Sequence, residues 1–320
     1  MEVVAVDIGG TNARFAMAWA EPGNVRLCSE PVKLPTSAFT GLAPAWEEFR
    51  RRAGRTLPRH AAIAVATPIS GDELRLTNNS WIIRVSRLAA ELQVDSFRLV
   101  NDFEAMAHAA AQARPEELAH IAGPADRWPS QGVTTVIGPG TGLGVAQLVR
   151  TTGRPLVLAT EGGHFAYAPV DEFEEQLLHR LRLQLERVSV ERVVSGPGLS
   201  AIYETLASVR GVPAASLPSA ELWSRALDGS DALAAEALQR FCLSFGSVAG
   251  DAVLVQGAKA VVIAGGVGQR LRAVLPASGF HARFTAKGRF RALMEQIPIK
   301  LIQYPEPGLL GAAAAFAAAR

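Results

Sequence analysis

The stretch Asp7-Ile8-Gly9-Gly10-Thr11-Asn12-Ala13-Arg14 lies between two apolar runs, residues 3–6 and 15–18. That order reads as strand, tight turn, strand. Two adjacent glycines let the backbone turn sharply and approach a ligand closely. Backbone N–H groups in such a turn form a concavity suited to anions, above all phosphate. Asp7 ends the first strand, where a carboxylate can face a metal ion carried on that phosphate. Taken alone, the stretch also fits an ordinary hairpin with a surface Asp.

A second copy shifts the balance. Val136-Ile137-Gly138-Pro139-Gly140-Thr141-Gly142-Leu143-Gly144-Val145-Ala146 has the same layout, with Gly10 falling on Gly140, Thr11 on Thr141 and Ala16 on Ala146. An internal repeat of a phosphate-type hairpin implies two similar halves facing each other across a nucleotide.

The chain of 320 residues is long enough for two domains at ~100–200 residues each. Hydrophobic residues make up 49% and charged residues 19%, which supplies a sizeable core and argues against disorder. A net charge of +2 is too small to argue for nucleic acid or an acidic membrane surface as partner. Cys28 and Cys242, the only cysteines, are far apart and in no C-x-x-C pair, which argues against a disulfide scaffold and a structural zinc site. No basic-then-apolar leader opens the chain. No charge-free apolar stretch reaches about 18 residues. A cytoplasmic protein with no membrane contact is the expectation.

Along the chain, strands are predicted over 3–8, 11–20 and 25–34, a helix over 39–53, and a buried strand over 61–66. A polar loop with one large aromatic, Trp81, follows, and Ser86 is positioned to cap a helix to Leu92. The apolar strand 97–100 runs into Asn101-Asp102-Phe103, with a helix from 104 to 113. Ligands of open α/β sheets sit outside the carboxyl ends of strands. Asp102 there reads as a helix N-cap, as a positioned base, or as both. Residues 114–131 read as a Pro-rich connection, with a domain boundary near 112. Further on come a strand at 156–160 leading to Glu161-Gly162-Gly163-His164, a helix at 172–187, and a polar connection 189–198. Helices follow at 219–226 and 232–255, the second largely apolar, with Gly246 and Gly250 marking close packing. A buried strand, 260–267, ends in Gly265-Gly266. The strand 299–304 and an Ala-rich helix, 308–320, close the chain; that helix is short enough to pack back on the first domain.

Several site classes are excluded. There is no G-x-x-x-x-G-K-[ST] loop and no G-x-S-x-G elbow. The run 138–144 opens a strand rather than a helix and does not satisfy G-x-G-x-x-G, which disfavours a dinucleotide fold. His164 lacks a partner at metal-binding spacing.

The ordered set of motifs resembles the actin, heat-shock chaperone and hexokinase ATPase superfamily and, more narrowly, the bacterial glucokinase family. The closer match rests on the first hairpin, Thr77-Asn78 with Trp81, Asn101-Asp102-Phe103, the second hairpin, Glu161-Gly162-Gly163-His164, Glu191-Arg192-Val193 through Ser195-Gly196-Pro197-Gly198, and Ile263-Ala264-Gly265-Gly266. It covers nearly the whole chain. The related ROK sugar kinases carry a zinc-binding cysteine cluster after their own E-x-G-H; both cysteines here lie far from residues 165–190, which points to the zinc-free branch. Departures are Ser70, Pro139 and Ala166, none of them at a proposed reacting group.

The resemblance implies a two-domain α/β fold of actin/hexokinase (ribonuclease H-like) type with a cleft between the domains. The smaller domain is expected at 1–112 plus 303–320 and the larger at 113–302. The activity implied is transfer of the γ-phosphoryl of ATP to the 6-hydroxyl of glucose, assisted by Mg²⁺. Asp102 is implied as base. Asn78, Asn101, Asp102, Glu161, His164 and Glu191 are implied to hold the sugar. Asp7, Gly9, Gly10, Thr11, Asn12, Gly140, Thr141 and Gly142 are implied to hold the metal-phosphate group, Asp7 reaching Mg²⁺ through water. Gly265 and Gly266 are implied to let adenine lie against the backbone. A homodimer is a family expectation. A kinase for another hexose or an N-acetyl amino sugar would share the nucleotide motifs, whereas a sugar-sensing regulator would need a DNA-binding segment ahead of Val3.

Overall fold

The computed structural model describes residues 1–76 and 79–320. The chain divides into two compact units. Unit 1 comprises Met1–Glu117, Thr152–Ala159 and Tyr304–Arg320; unit 2 comprises Leu118–Thr151 and Thr160–Gln303.

Unit 1 opens with β1 (Glu2–Ile8), β2 (Asn12–Glu21), β3 (Asn24–Leu27) and β4 (Val32–Pro35), then α1 (Leu42–Ala53) and β5 (His60–Val65). A two-stranded ribbon, β6 (Glu73–Arg75) and β7 (Ile82–Arg84), precedes α2 (Val85–Leu92), β8 (Ser96–Asn101) and α3 (Asp102–Gln112). The main sheet runs β3-β2-β1-β5-β8, with β4 also on β2. β1 pairs antiparallel with β2 and parallel with β5, and β5 pairs parallel with β8. Residues 3–6 are fully buried, because a central strand covered on both faces must be apolar throughout. Alternate residues serve opposite layers. Val4, Val6 and Ile8 pack with Trp46 and Phe49 of α1 and with Leu88 of α2. Val3 and Ala5 pack with residues of the C-terminal helix, Leu309, Ala312 and Phe316 among them.

Three local expectations are corrected in this unit. The third strand is two, β3 and β4, each pairing with a different part of β2. Between them Ser29 Oγ accepts from the Met17 N–H at 2.9 Å, replacing a ladder bond, just before Pro31, which has no N–H to give. The helix expected from residue 39 starts at Leu42, after a 3₁₀ turn over Thr36–Ala38. Ser86 does not cap α2; it lies inside the first turn and donates both N–H and Oγ–H to the Asp72 carboxylate, at 2.7 and 2.9 Å.

Unit 2 contains β9 (Leu118–Ala122), β10 (Gly132–Pro139) and β11 (Leu143–Arg150). β12 (Leu156–Thr160) follows in the chain, its residues up to Ala159 belonging to unit 1. Unit 2 continues with α4 (Glu172–Arg182), α5 (Gly196–Val209), α6 (Ser219–Asp228) and α7 (Ala232–Gln256). Then follow β13 (Ala258–Ile263), α8 (Gly265–Arg270), α9 (Phe280–Thr285), α10 (Arg291–Met294) and β14 (Ile299–Ile302). Five strands lie in the order β11-β10-β13-β14-β9. β10 pairs antiparallel with β11 and parallel with β13, the same pattern that β1 makes with β2 and β5. The repeat read in the sequence therefore extends to sheet topology. α7 is long and apolar enough to cross a membrane by composition, but its most apolar window is 67% buried in the core of unit 2. Its Gly246 and Gly250 let α9 approach closely: a Cβ on either would come within 2.1 and 2.6 Å of the carbonyls of Phe280 and Phe284.

The 114–131 connection contains β9, which pairs antiparallel with β14 at the sheet edge. α4 ends at Arg182 rather than 187 because the chain must return to bridge Ser189 to Ala166. The 189–198 segment is not a surface connection: Val190, Val193 and Val194 are buried and α5 begins inside it, at Gly196. Gly265-Gly266 opens α8 instead of ending β13. The last strand stops at Ile302, and α11 (Pro307–Ala318) packs within unit 1 on β1, β2, β5 and α3.

Candidate active site

In unit 1 the register Ile8↔Val65 and Val65↔Asn101 sets the carboxyl ends of three parallel strands side by side. This brings the first hairpin and Asn101-Asp102 to one end of the sheet, where ligands of α/β sheets collect. Asn101, not Asp102, is the N-cap of α3: its Oδ1 accepts from the Phe103 N–H at 2.8 Å and more weakly from Glu104 at 3.4 Å, while its Nδ2 donates to the Thr67 carbonyl at 3.4 Å. Asp102 is the first helical residue, and its Oδ1 accepts from the same Phe103 N–H at 2.9 Å. Its carboxylate is therefore set by backbone at a helix N-terminus, the end that favours negative charge.

The hairpin is held by its carbonyls. The Gly9 N–H donates to the Asn12 carbonyl at 3.0 Å, and the Gly9 carbonyl accepts from Asn79 Nδ2 at 3.4 Å. The Gly10 carbonyl accepts from Thr36 Oγ1 at 2.8 Å and the Thr11 carbonyl from the Thr36 N–H at 3.0 Å. Asn78 lies outside the described residues.

Asp7 sits directly opposite Arg14 across the hairpin. Arg14 bridges two carboxylates, Asp7 at 3.4 Å and Glu306 at 3.2 Å. The Asp7 side chain is only 15% exposed. Burial pushes its carboxyl above the usual range; the Arg14 charge and hydrogen bond oppose this, and Glu306 adds to it. A Cβ on Gly308 would lie 2.6 Å from the Asp7 carboxylate, so the first turn of α11 is pressed against it. Arg14, Glu306 and Gly308 were not singled out from sequence. The available signal was Pro307-Gly308 at a helix start preceded by an acid.

In unit 2 three expected motifs converge on the second hairpin. Glu191 Oε2 accepts from the Leu143 N–H at 2.9 Å, and a Cβ on Gly142 would fall 2.2 Å from that oxygen. A Cβ on Gly163 would fall 1.9 Å from the Leu143 carbonyl, which brings Glu161–His164 onto the same residue. The Val190 N–H donates to the Phe165 carbonyl at 2.8 Å, tying the Glu191 turn to the His164 turn. The carboxylate of Glu161 and the imidazole of His164 stand 3.8 Å apart, both more than half exposed. The Ala264 N–H donates to the Ile137 carbonyl at 2.9 Å, and Gly265, at φ +80°, would bring a Cβ within 2.8 Å of the Pro139 carbonyl. That crowded left-handed position requires glycine. By contrast, a Cβ on Gly140 or Gly266 would meet nothing within 4 Å among the described residues, which leaves the backbone there accessible to a ligand.

Chemically, each unit presents a turn rich in backbone N–H groups beside fixed carboxylates. Unit 2 adds an exposed imidazole, His164, beside the carboxylate of Glu161. Such sets recognise phosphate and paired hydroxyl groups.

A model of the glucokinase family matches residues 4–319. The glucokinase of Zymomonas mobilis subsp. mobilis is 54% identical over 317 residues, covering 99% of this chain and 98% of that protein. The crystal structure of a glucokinase from an Antarctic psychrotroph has a TM-score of 0.83 at 34% identity over 98% of both chains. That of the Balamuthia mandrillaris glucokinase, solved in complex with glucose, has a TM-score of 0.80 at 23% identity over 98% of this chain and 93% of that one, a likeness of fold. With a family match running nearly end to end and a relative more than half identical, this chain belongs to the glucokinase family.

Proposed function

We propose that this chain transfers the γ-phosphoryl group of MgATP to the 6-hydroxyl of glucose, giving glucose 6-phosphate and ADP. The reading rests on family membership and on one observation: Asp102 is set by backbone at the carboxyl end of β8, with Asn101 already serving as the helix cap. In this reading the Asp102 carboxylate is the base that accepts the proton of the 6-hydroxyl. The alkoxide-like oxygen attacks the γ-phosphorus, the bond to the bridging oxygen breaks, and ADP departs.

Asn78, Asn101, Glu161, His164 and Glu191 are the proposed partners of the remaining hydroxyls. Gly9, Gly10, Thr11 and Asn12, and likewise Gly140, Thr141 and Gly142, are proposed phosphate-holding residues; Gly265 and Gly266 are proposed to take the adenine. Asp7 suits a hydrated Mg²⁺, because that ion is held through one or two carboxylates while keeping several waters. Its second-carboxylate neighbour, Glu306, and its position at the hairpin mouth support that fit. When bound, the ion neutralises phosphate charge. We also infer a cytoplasmic homodimer, on family grounds.

A coupled assay with glucose, mannose, fructose and N-acetylglucosamine at equal concentration tests the sugar. Fastest turnover on glucose is expected; faster turnover on mannose or N-acetylglucosamine overturns the assignment. Substituting ADP or polyphosphate for ATP tests the donor, and light scattering on the eluting peak tests the dimer.

A further inference from the structure

The two hairpins share a support that the sequence repeat did not reveal. In unit 1 the Gly10 carbonyl accepts from Thr36 Oγ1 at 2.8 Å, and the Thr36 carbonyl accepts from Trp81 Nε1 at 3.2 Å. In unit 2 the Gly140 carbonyl accepts from the Gly196 N–H at 2.7 Å, and the Gly196 carbonyl accepts from Trp223 Nε1 at 3.1 Å. Gly10 and Gly140 are equivalent positions of the repeat. Both indoles are buried, at 1% and 2% exposure. They come from unrelated places in the chain: Trp81 lies just before β7 and Trp223 lies on α6. Trp81 also donates to the Phe39 carbonyl at 3.0 Å, and Trp223 packs edge-on against Phe241 at 5.3 Å, so each ring is fixed.

The peptide plane makes this consequential. A carbonyl and the following N–H are coplanar and point in opposite directions. Pinning the Gly10 carbonyl inward therefore aims the Thr11 N–H outward, and pinning the Gly140 carbonyl does the same for Thr141. Thr11 and Thr141 are both exposed. Without a pin, a glycine at the tip has access to both signs of φ and its peptide can rotate.

We propose that Trp81 and Trp223 are matched positioning residues. Each fixes the equivalent glycine carbonyl through one intermediate residue and so aims a hairpin N–H at the nucleotide phosphates. The inference rests on the nucleotide reading above. Neither indole touches nucleotide; each acts through Thr36 or Gly196.

Trp81→Phe and Trp223→Phe keep an aromatic ring and remove the donor. Titration calorimetry with MgADP, calorimetry with glucose alone, and steady-state kinetics test them. Losing one hydrogen bond of this kind corresponds to about a three- to tenfold change. MgADP affinity is expected to fall by that factor in each variant and the KM for ATP to rise with it, while glucose affinity without nucleotide stays within twofold. Near-UV circular dichroism establishes that the variants are folded. If Trp81→Phe does not fold, Thr36→Val removes only the γ-oxygen bonded to Gly10 and carries the same expectation. Folded variants whose MgADP affinity matches wild type, or that lose sugar and nucleotide affinity alike, overturn the inference alone. A wild-type protein that binds no MgADP overturns the nucleotide reading and the inference with it.

Discussion

Gly308, in the first turn of α11, lies against the carboxylate of Asp7, where a Cβ would stand only 2.6 Å away. The C-terminal helix thus forms one wall around the acid that ends the first strand. Gly308→Ala must push Asp7 aside or shift α11. Overpacking of this kind costs about 1–3 kcal/mol, and an ångström of misplacement at a reacting group costs about a hundredfold in rate. We expect a small drop in thermal midpoint, a roughly ten- to hundredfold lower kcat with MgATP, and near-normal glucose binding by calorimetry. An unchanged kcat would separate Asp7 from the reaction.

Asp102→Asn removes basicity while leaving the cap of α3 in place, because Asn101 supplies that cap. The Asn variant keeps an Oδ1 for the Phe103 N–H and is expected to fold. General-base assistance contributes ~10²–10⁴ in rate. We expect kcat to fall by at least about two orders of magnitude, with MgATP binding preserved. Near-wild-type kcat would rule out Asp102 as base.

Glu191 has two tasks that substitution can separate. Glu191→Ala leaves the N–H of buried Leu143 without its acceptor, an expected loss of about 1–3 kcal/mol in urea unfolding. Glu191→Gln keeps a carbonyl oxygen for that N–H and should retain the stability, while raising the glucose KM. A Gln variant as unstable as the Ala variant would contradict the assignment of the Leu143 bond.

His108 on α3 predicts an acid-sensitive fold. Burial, and secondly the charge of Arg98, push its imidazole down to about 4. The unfolded chain, with an ordinary value near 6.5, binds the proton between those limits and the folded state does not. Stability from this group is complete above about pH 6.5 and is lost as pH falls toward 4. Urea midpoints measured from pH 7 to 4.5 should fall less steeply in His108→Gln than in wild type.

Much of the machinery was legible because it is local. A Gly pair between apolar runs can hardly be other than a hairpin, and its recurrence at Gly140 implied the repeat that appears as matching β2-β1-β5 and β11-β10-β13 order. The strand–helix junction at Asn101-Asp102 followed from an apolar run meeting a helical one. Ranges failed where a distant partner decided them. β9 reads as a Pro-rich connection because its pairing partner, β14, lies far along the chain. Ser86 has the composition of a cap, but Asp72 reached its N–H first.

Local backbone chemistry is written in short spacings: glycines for turns, acids at strand ends, caps at helix starts. Residue types alone therefore announced two glycine-rich hairpin turns and the acids near them. Which atoms hold those turns in place is a matter of long-range contact. Arg14 reaches Glu306, Trp81 reaches Thr36, Trp223 reaches Gly196, and Glu191 reaches Leu143 across separations that no periodicity encodes. Those partners were chosen by packing, since a buried N–H or carboxylate must find its complement wherever the folded core brings one within reach.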